Sequence, residues 1–138
     1  MSTDDVTLNK AATIERCVAR VREVYAGDFR NLSDDMTKQD SIVLNLQRAC
    51  EATIDLAMHR VRVHRLGIPQ DSREGFGLLA RAGRLEATLA ERLQRMIGFR
   101  NVAVHDYTRL NLAIVRSIIE RNLDDLLRFT TESIRDSA

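Results

Sequence analysis

The chain has 138 residues, of which 44% are hydrophobic and 30% are charged, and its formal net charge at pH 7 is +1. This length and composition predict one domain over residues 1–138 and exclude both a disordered chain and a membrane-spanning one. The nearly neutral charge gives no sign of nucleic-acid binding by the chain as a whole. Any such contact has to come from local clusters of the 21 Lys and Arg residues.

The first predicted element is an amphipathic helix from about Thr7 to Tyr25, with apolar residues spaced three and four apart and Gly27 as its stop. A polar connection over residues 31–37 follows. The second predicted helix starts between Asp34 and Thr37 and continues to about Arg65, and Gly67 and Pro69 end it. Its length of about seven turns suits the central helix of a bundle.

Residues 71–74, Asp-Ser-Arg-Glu, form a capping signal for a short third helix that ends near Gly83. A fourth helix begins between Leu85 and Thr88, and a last one runs from about Asn111 to Ile134. We therefore predict an all-α, up-and-down four-helix bundle with an additional short helix. Several helices have broad apolar faces, which predicts a homodimer that covers one of them.

The two cysteines, Cys17 and Cys50, lie in amphipathic helical segments, and we expect both to be reduced and buried. They form no CxxC pair, and we expect neither a metal nor an organic cofactor. Residues 1–5 show no basic stretch followed by an apolar one, so the expected location is the cytoplasm.

The most reactive stretch is residues 100–107, Arg-Asn-Val-Ala-Val-His-Asp-Tyr, at the end of the fourth helix. Counted at about 100° per residue, Arg100 falls near the middle of the helix's apolar stripe, and Tyr107 falls at its edge. That stripe consists of Leu89, Leu93, Met96, Ile97 and Val104. Because a guanidinium is costly to bury without partners, an arginine on this face indicates either a paired structural ion or a functional site.

Arg100 and His105 carry the groups that RNA cleavage without a metal requires. An arginine can hold a phosphate and stabilise its developing charge, and an imidazole can move a proton near neutral pH. His105 would activate the ribose 2′-OH for attack on the adjacent phosphorus, which would leave a 2′,3′-cyclic phosphate. Asn101 adds a neutral donor and acceptor in a supporting role. A lone helical histidine is, however, more often structural than catalytic.

The helical geometry leaves three arrangements open. Five residues of unbroken helix turn about 500°, so Arg100 and His105 would point about 140° apart, whereas Tyr107 would return to within about 20° of Arg100. A helix distorted after Gly98, a helix that frays near His105, or a site that combines two subunits would bring the pair together. We favour the two-subunit site, because a dimer axis beside this helix would place two copies of each group in one cleft.

Basic residues also cluster at the end of the second helix, at His59, Arg60, Arg62, His64 and Arg65. We interpret them as a solvated face that suits a helix carboxyl terminus. The alternative is a rim that contacts RNA phosphates. The same ambiguity applies to the arginines at positions 16, 20, 22 and 30.

The pattern Arg100-Asn101-x-x-x-His105-x-Tyr107 resembles the R-x4-H-x-Y motif of the HepT toxins, a branch of the HEPN superfamily. Other segments are also similar to this family, and the resemblance extends from about residue 8 to residue 130. These segments are residues 39–52, 66–69, 72–74 and 98–107.

The resemblance implies a dimeric all-helical HEPN bundle with the motif at the dimer cleft. It implies a metal-independent endoribonuclease, the toxin of a type VII toxin–antitoxin pair, with Arg100 and His105 catalytic and tRNA or mRNA as substrate. Tyr107 would be the hydroxyl that a MntA-type nucleotidyltransferase antitoxin modifies with AMP. The added phosphates would place negative charge and bulk beside Arg100, where the RNA phosphate must lie.

An alternative from a different functional class is a non-catalytic helical partner that binds a nucleotidyltransferase and presents nucleotide or substrate to it. In that case Arg100 would hold a phosphate and His105 would be structural. Both hypotheses predict a nucleotidyltransferase partner, so only RNA cleavage by the purified chain separates them.

Overall fold

The chain folds into an all-helical bundle, as its apolar periodicity predicts. The computed structural model describes residues 4–105 and 111–137, with side chains described at 4–98 and 111–137. The helices in this part of the chain are α1 (Asp5–Tyr25), α2 (Arg30–Ser33), α3 (Met36–His64), α4 (Glu74–Arg81), α5 (Ala87–His105), α6 (Leu112–Arg121) and α7 (Leu123–Ser137).

α1 begins two residues before the predicted start, because the Asp4 carboxylate caps it by accepting a hydrogen bond from the Thr7 backbone N–H at 2.8 Å. The helix ends at Tyr25, after which Ala26 and Gly27 adopt left-handed backbone conformations with φ of 49° and 71°. Gly27 adopts this conformation without steric cost, so the predicted stop is confirmed.

The predicted polar connection after α1 is only partly correct, because it contains the single-turn helix α2. The Asp28 carboxylate accepts from the Arg30 backbone N–H at 2.9 Å, and Leu32 is fully buried. A segment this short shows no periodicity, so one apolar anchor and one local acceptor produce a turn that a pattern search overlooks.

α3 confirms the predicted second helix. Asp35 is its cap, accepting from the Lys38 backbone N–H at 3.0 Å. Arg65 takes a left-handed conformation with φ of 55°, so the helix ends before Gly67 and Pro69. The Asp71 carboxylate accepts from the backbone N–H groups of Arg73 and Glu74, as an acceptor before α4 should, but the N-cap residue is Arg73, which makes no side-chain cap.

The prediction of one continuous last helix was wrong, because Asn122 separates α6 from α7. Its backbone N–H donates to the Ile118 carbonyl at 2.9 Å, and its side-chain amide donates to the Asp125 carboxylate at 3.2 Å. Asparagine competes with the helical backbone for hydrogen bonds and so favours such junctions. The apolar stripe continues across the interruption and hides it in the sequence.

α3 is the central helix and packs against α1, α2, α4, α5 and α7. One apolar cluster joins the helices, and each long element contributes fully buried side chains to it, among them Ile14, Leu46, Leu93 and Phe129. The rings of Phe76 and Phe129 meet edge to face with centroids 5.6 Å apart. This packing fixes the position of α5, the helix that carries the motif.

Both cysteines are buried and neither forms a disulfide, which confirms the expected thiols. Burial raises the pKa of the Cys17 thiol, which keeps it protonated and unreactive. Among the described residues, no helix combines the length and the apolar character needed to span a bilayer.

Candidate functional site

α5 remains α-helical from Ala87 through Gly98 to His105. A Cβ placed on Gly98 would have no neighbour within 4 Å, so neither packing nor backbone strain requires a glycine there. The first arrangement considered above, a helix distorted after Gly98, is therefore wrong.

The backbone of α5, which the structure describes as far as His105, places the Cα atoms of Arg100 and His105 about 140° apart around the helix axis. The side chains of Arg100, Asn101 and His105 lie outside the described residues, as does the whole of Tyr107. Whether the catalytic pair meets within one chain or across two therefore stays a prediction.

The apolar stripe that precedes the motif is confirmed. Leu89, Leu93, Met96 and Ile97 are all at most 3% exposed and belong to the common core. Because these four side chains fix how α5 is rotated, they also fix which of its residues face away from the core. Those outward positions form a cleft.

A cleft of about 620 Å³ lies between the second half of α5 and α6, and its lining includes Gly98, two residues before the motif in the sequence. Three arginines line it: Arg92 and Arg95 from α5, and Arg121 from the last turn of α6. The neutral polar residues of its wall are Asn111, Ser117 and Asn122. Its described lining contains no carboxylate, so the cleft has a positive potential suited to an anion.

Arg92 is held in place by a buried carboxylate. One of its terminal nitrogens lies 3.4 Å from an oxygen of Asp125, whose side chain is 4% exposed. The other oxygen of Asp125 accepts from the Asn122 amide. Arg92 is thus fixed against the α6–α7 junction, whereas Arg95 and Arg121 are exposed and form no ion pair with a described side chain.

Sequence reasoning missed these three cleft arginines. The spacing of Arg92 and Arg95, three residues apart just before the motif, was the available signal. Arg121 lies 26 positions further along the chain from Arg95, and only the packing of α6 against α5 brings it to the same cleft.

The predictions for the basic end of α3 need correction. Arg60 is 2% exposed, so it is neither on a solvated face nor on an RNA-binding rim. Its guanidinium donates to the Asp136 carboxylate at 2.9 Å and to the Ser133 hydroxyl at 3.0 Å. His64 lies 3.1 Å from the same Asp136 carboxylate. The apolar core and α7 cover this side of α3, which its local sequence does not reveal.

Of the other residues in that basic cluster, one has a carboxylate partner and two are exposed. The His59 ring lies 2.9 Å from the Asp4 carboxylate that caps α1, so it too has a structural partner. Only Arg62 and Arg65 are exposed as a solvated face predicts. No group of three or more His, Cys, Asp or Glu residues suited to a metal ion occurs among the described positions.

Three of the four ambiguous arginines near the amino terminus have carboxylate partners. Arg20 pairs with Glu23 at 2.7 Å, Arg22 pairs with Asp124 at 2.8 Å, and Arg30 pairs with Asp28 at 2.8 Å. An exposed ion pair contributes only about 0–1 kcal/mol to stability, so these contacts do not decide between a structural role and RNA contact.

Solved structures show the class of protein to which this fold belongs. The structure of a tri-AMPylated HEPN toxin from Shewanella oneidensis, in complex with an MNT antitoxin, matches with a TM-score of 0.87 and 47% identity, over 94% of this chain and 96% of that one. A toxin–antitoxin structure with AMP-PNP matches with a TM-score of 0.87 and 46% identity, over 94% of this chain and 98% of that one. The fold is that of the HEPN toxins.

Sequence comparison identifies the family more narrowly. A family model for ribonuclease HepT-like proteins matches residues 14–133. The chain is also 48% identical over 126 residues to the mRNA nuclease HepT of Shewanella oneidensis, across 91% of this chain and 94% of that protein. This protein therefore belongs to the ribonuclease HepT-like family, which confirms the predicted resemblance.

Proposed function

We propose that this chain is a metal-independent endoribonuclease, the toxin of a type VII toxin–antitoxin pair that acts in the cytoplasm as a single-domain homodimer. The observation that carries the proposal is the R-x4-H-x-Y motif in the sequence, whose arginine and histidine follow the turns of α5 that line a cleft rich in arginine. Its similarity to the mRNA nuclease HepT supports an RNA substrate, either mRNA or tRNA.

In the proposed reaction, His105 removes the proton of a ribose 2′-OH, and the resulting oxygen attacks the adjacent phosphorus. Arg100 binds the non-bridging oxygens and stabilises the charge of the pentavalent state, with Asn101 as a supporting hydrogen-bonding group. The bond to the 5′ oxygen of the next nucleotide breaks, and that oxygen takes up a proton. The products are a 2′,3′-cyclic phosphate and a 5′-hydroxyl.

The antitoxin is proposed to be a MntA-type nucleotidyltransferase that transfers AMP to the Tyr107 hydroxyl. The solved complexes of related toxins with MNT and MntA antitoxins support such a partner. AMP on Tyr107, seven residues after Arg100 in the sequence, would add phosphate charge to the motif, and so would compete with the RNA phosphate.

The test is RNA cleavage by purified protein, free of antitoxin, in the presence of EDTA. We expect wild-type protein to cleave RNA and leave 2′,3′-cyclic phosphate ends. Arg100→Ala and His105→Ala should each lower kcat by about 10²–10⁴-fold, because each removes charge stabilisation or proton transfer from the transition state.

The matched control is Arg81→Ala, since Arg81 is exposed at the end of α4 and does not line the cleft. It should cleave RNA as wild type does, and circular dichroism should show that all variants are folded. A wild-type protein that cuts nothing, or Arg100 and His105 variants that cut equally well, would favour the non-catalytic nucleotidyltransferase partner instead.

A further inference from the structure

The cleft between α5 and α6 carries more positive charge than a single scissile phosphate needs. We propose that it binds the backbone of single-stranded RNA beside the scissile bond, with Arg95 and Arg121 contacting flanking phosphates. This inference rests on the proposed ribonuclease function and extends it to substrate binding outside the catalytic pair.

The first argument is charge. Three guanidinium groups line the cleft, and its described lining contains no carboxylate, although the whole chain has a net charge of only +1. Two carboxylates lie near the cleft among the described residues: Asp125 is buried and engaged by Arg92 and Asn122, and Glu120, which interacts electrostatically with Arg121, is hydrogen-bonded to Tyr25 and Arg116. The charges of Arg95 and Arg121 are therefore available to an anion from outside.

The second argument is distance along α5. Arg95 precedes Arg100 by five residues, a rise of about 7.5 Å along the helix axis. This spacing is comparable with the separation of successive phosphates in an extended RNA strand. Five residues also turn about 500°, so the Cα atoms of Arg95 and Arg100 lie about 140° apart around the axis, and a strand that passes from Arg100 to Arg95 has to curve around α5.

The third argument is the size and floor of the cleft. Its volume of about 620 Å³ suits one or two nucleotides. Apolar surface in the cleft comes from Met96, Ile114 and Ile118. The Ile114 side chain is 50% exposed, although it is apolar. Such a floor can cover a base or ribose while the arginines hold the phosphates, as single-strand binding sites do.

The first experiment measures affinity for a fluorescein-labelled, fully 2′-O-methylated octanucleotide, which cannot be cleaved, by anisotropy over a salt series. The Arg95→Gln/Arg121→Gln double variant should bind about tenfold more weakly for each arginine lost. Its slope of log affinity against log salt should fall by about 1.4, since each phosphate contact on a single strand contributes about 0.7.

Arg81→Gln is the matched control and should leave both affinity and slope unchanged, because that exposed arginine lies outside the cleft. The substituted side chains are exposed, so the double variant should retain the unfolding midpoint of wild type. Double-variant binding equal to that of wild type would overturn the inference.

The second experiment uses cleavable substrates. On a longer RNA, the double variant should show a raised KM with kcat nearly unchanged. On a dinucleotide with a single phosphodiester bond it should match wild type, because no flanking phosphate is present. Wild-type protein that cuts neither substrate refutes the proposed ribonuclease function. The octanucleotide binding series still tests whether the cleft binds RNA.

Two protein interfaces compete with RNA for this surface. If the double variant loses antitoxin affinity in a pull-down, or becomes a monomer by light scattering, and yet binds the octanucleotide normally, the cleft is a protein interface. Either result would refute the inference without touching the catalytic proposal.

Discussion

Arginines in this chain have roles that depend on their neighbours in space rather than on their neighbours in sequence. Arg60 and Arg62 belong to one basic run, yet Arg60 is 2% exposed and Arg62 is exposed. Arg60 is buried with Asp136 and Ser133 from α7, 73 or more positions away in sequence. Because burial of an unpaired charge is so unfavourable, only the presence of that distant carboxylate makes the position tolerable.

Tyr107 carries the prediction at the residue scale. We expect incubation with the partner nucleotidyltransferase and ATP to add mass in AMP units to the wild-type chain and to abolish its RNA cleavage. Tyr107→Phe removes only the hydroxyl acceptor, so it should gain no mass and should remain active in the presence of the antitoxin. Intact-protein mass spectrometry measures this, with Tyr25→Phe as the control.

Tyr25 is a suitable control because its phenol is buried and already hydrogen-bonded, so an enzyme cannot reach it. It donates a hydrogen bond to Glu120, and burial followed by that bond and the charge of Glu120 raises its pKa to about 12. Mass gain that persists in Tyr107→Phe would assign the AMP acceptor to another residue.

At the scale of the element, the continuity of α5 is the informative result. Because the helix passes Gly98 without interruption, the Cα atoms of Arg100 and His105 are about 140° apart around its axis. One straight helix does not direct both positions at one phosphate. This geometry favours the proposed site in which one subunit supplies Arg100 and its partner supplies His105.

Complementation between inactive subunits tests this arrangement. A heterodimer of one Arg100→Ala subunit and one His105→Ala subunit retains one intact site if each site combines two chains. It retains none if each site lies within one chain. We therefore expect mixed, refolded or co-expressed variants to recover up to about half the activity per dimer, measured as RNA cleavage, while each variant alone stays inactive. No recovery despite heterodimer formation, verified with two affinity tags, would place the catalytic pair within one chain or end the catalytic proposal.

At the scale of the whole molecule, the carboxylate of Asp136 links α7 to the rest of the bundle through three ion pairs. Its oxygens lie 2.9 Å from Arg60, 3.1 Å from His64 and 2.6 Å from Arg84, which ties α7 to α3 and to the α4–α5 connection. The Arg60 guanidinium also lies over the Phe129 ring, 5.4 Å from its centroid. One cluster therefore connects the last helix to the central helix and to the segment between α4 and α5.

We expect Asp136→Asn to lower the free energy of unfolding by about 3 kcal/mol at pH 7, because it leaves the buried Arg60 charge without its counter-ion. Asp124→Asn is the control, since Asp124 pairs with Arg22 at the surface and is 79% exposed. It should cost less than about 1 kcal/mol. Urea denaturation followed by circular dichroism measures both, and equal effects would show that the cluster contributes no more than a surface pair.

The stabilisation from Asp136 should also depend on pH. Burial raises its pKa, but the hydrogen bond from Arg60 and the charges of Arg60, Arg84 and His64 outweigh burial and hold the pKa below its usual value. A lowered carboxyl pKa stabilises the folded state above the unfolded pKa, and this contribution is lost as the pH falls through the folded one. The difference between wild type and Asp136→Asn should therefore shrink below about pH 4.

The sequence by itself determined the all-helical fold, most helix bounds, the buried thiols and the motif at residues 100–107. Each of these depends on local spacing or on single residues, so a pattern along the chain predicts it. The tertiary structure alone decided the burial of Arg60 and the basic cleft that Arg121 completes. These depend on contacts between distant parts of the chain, because the free energy of a charge is set by the groups packed around it.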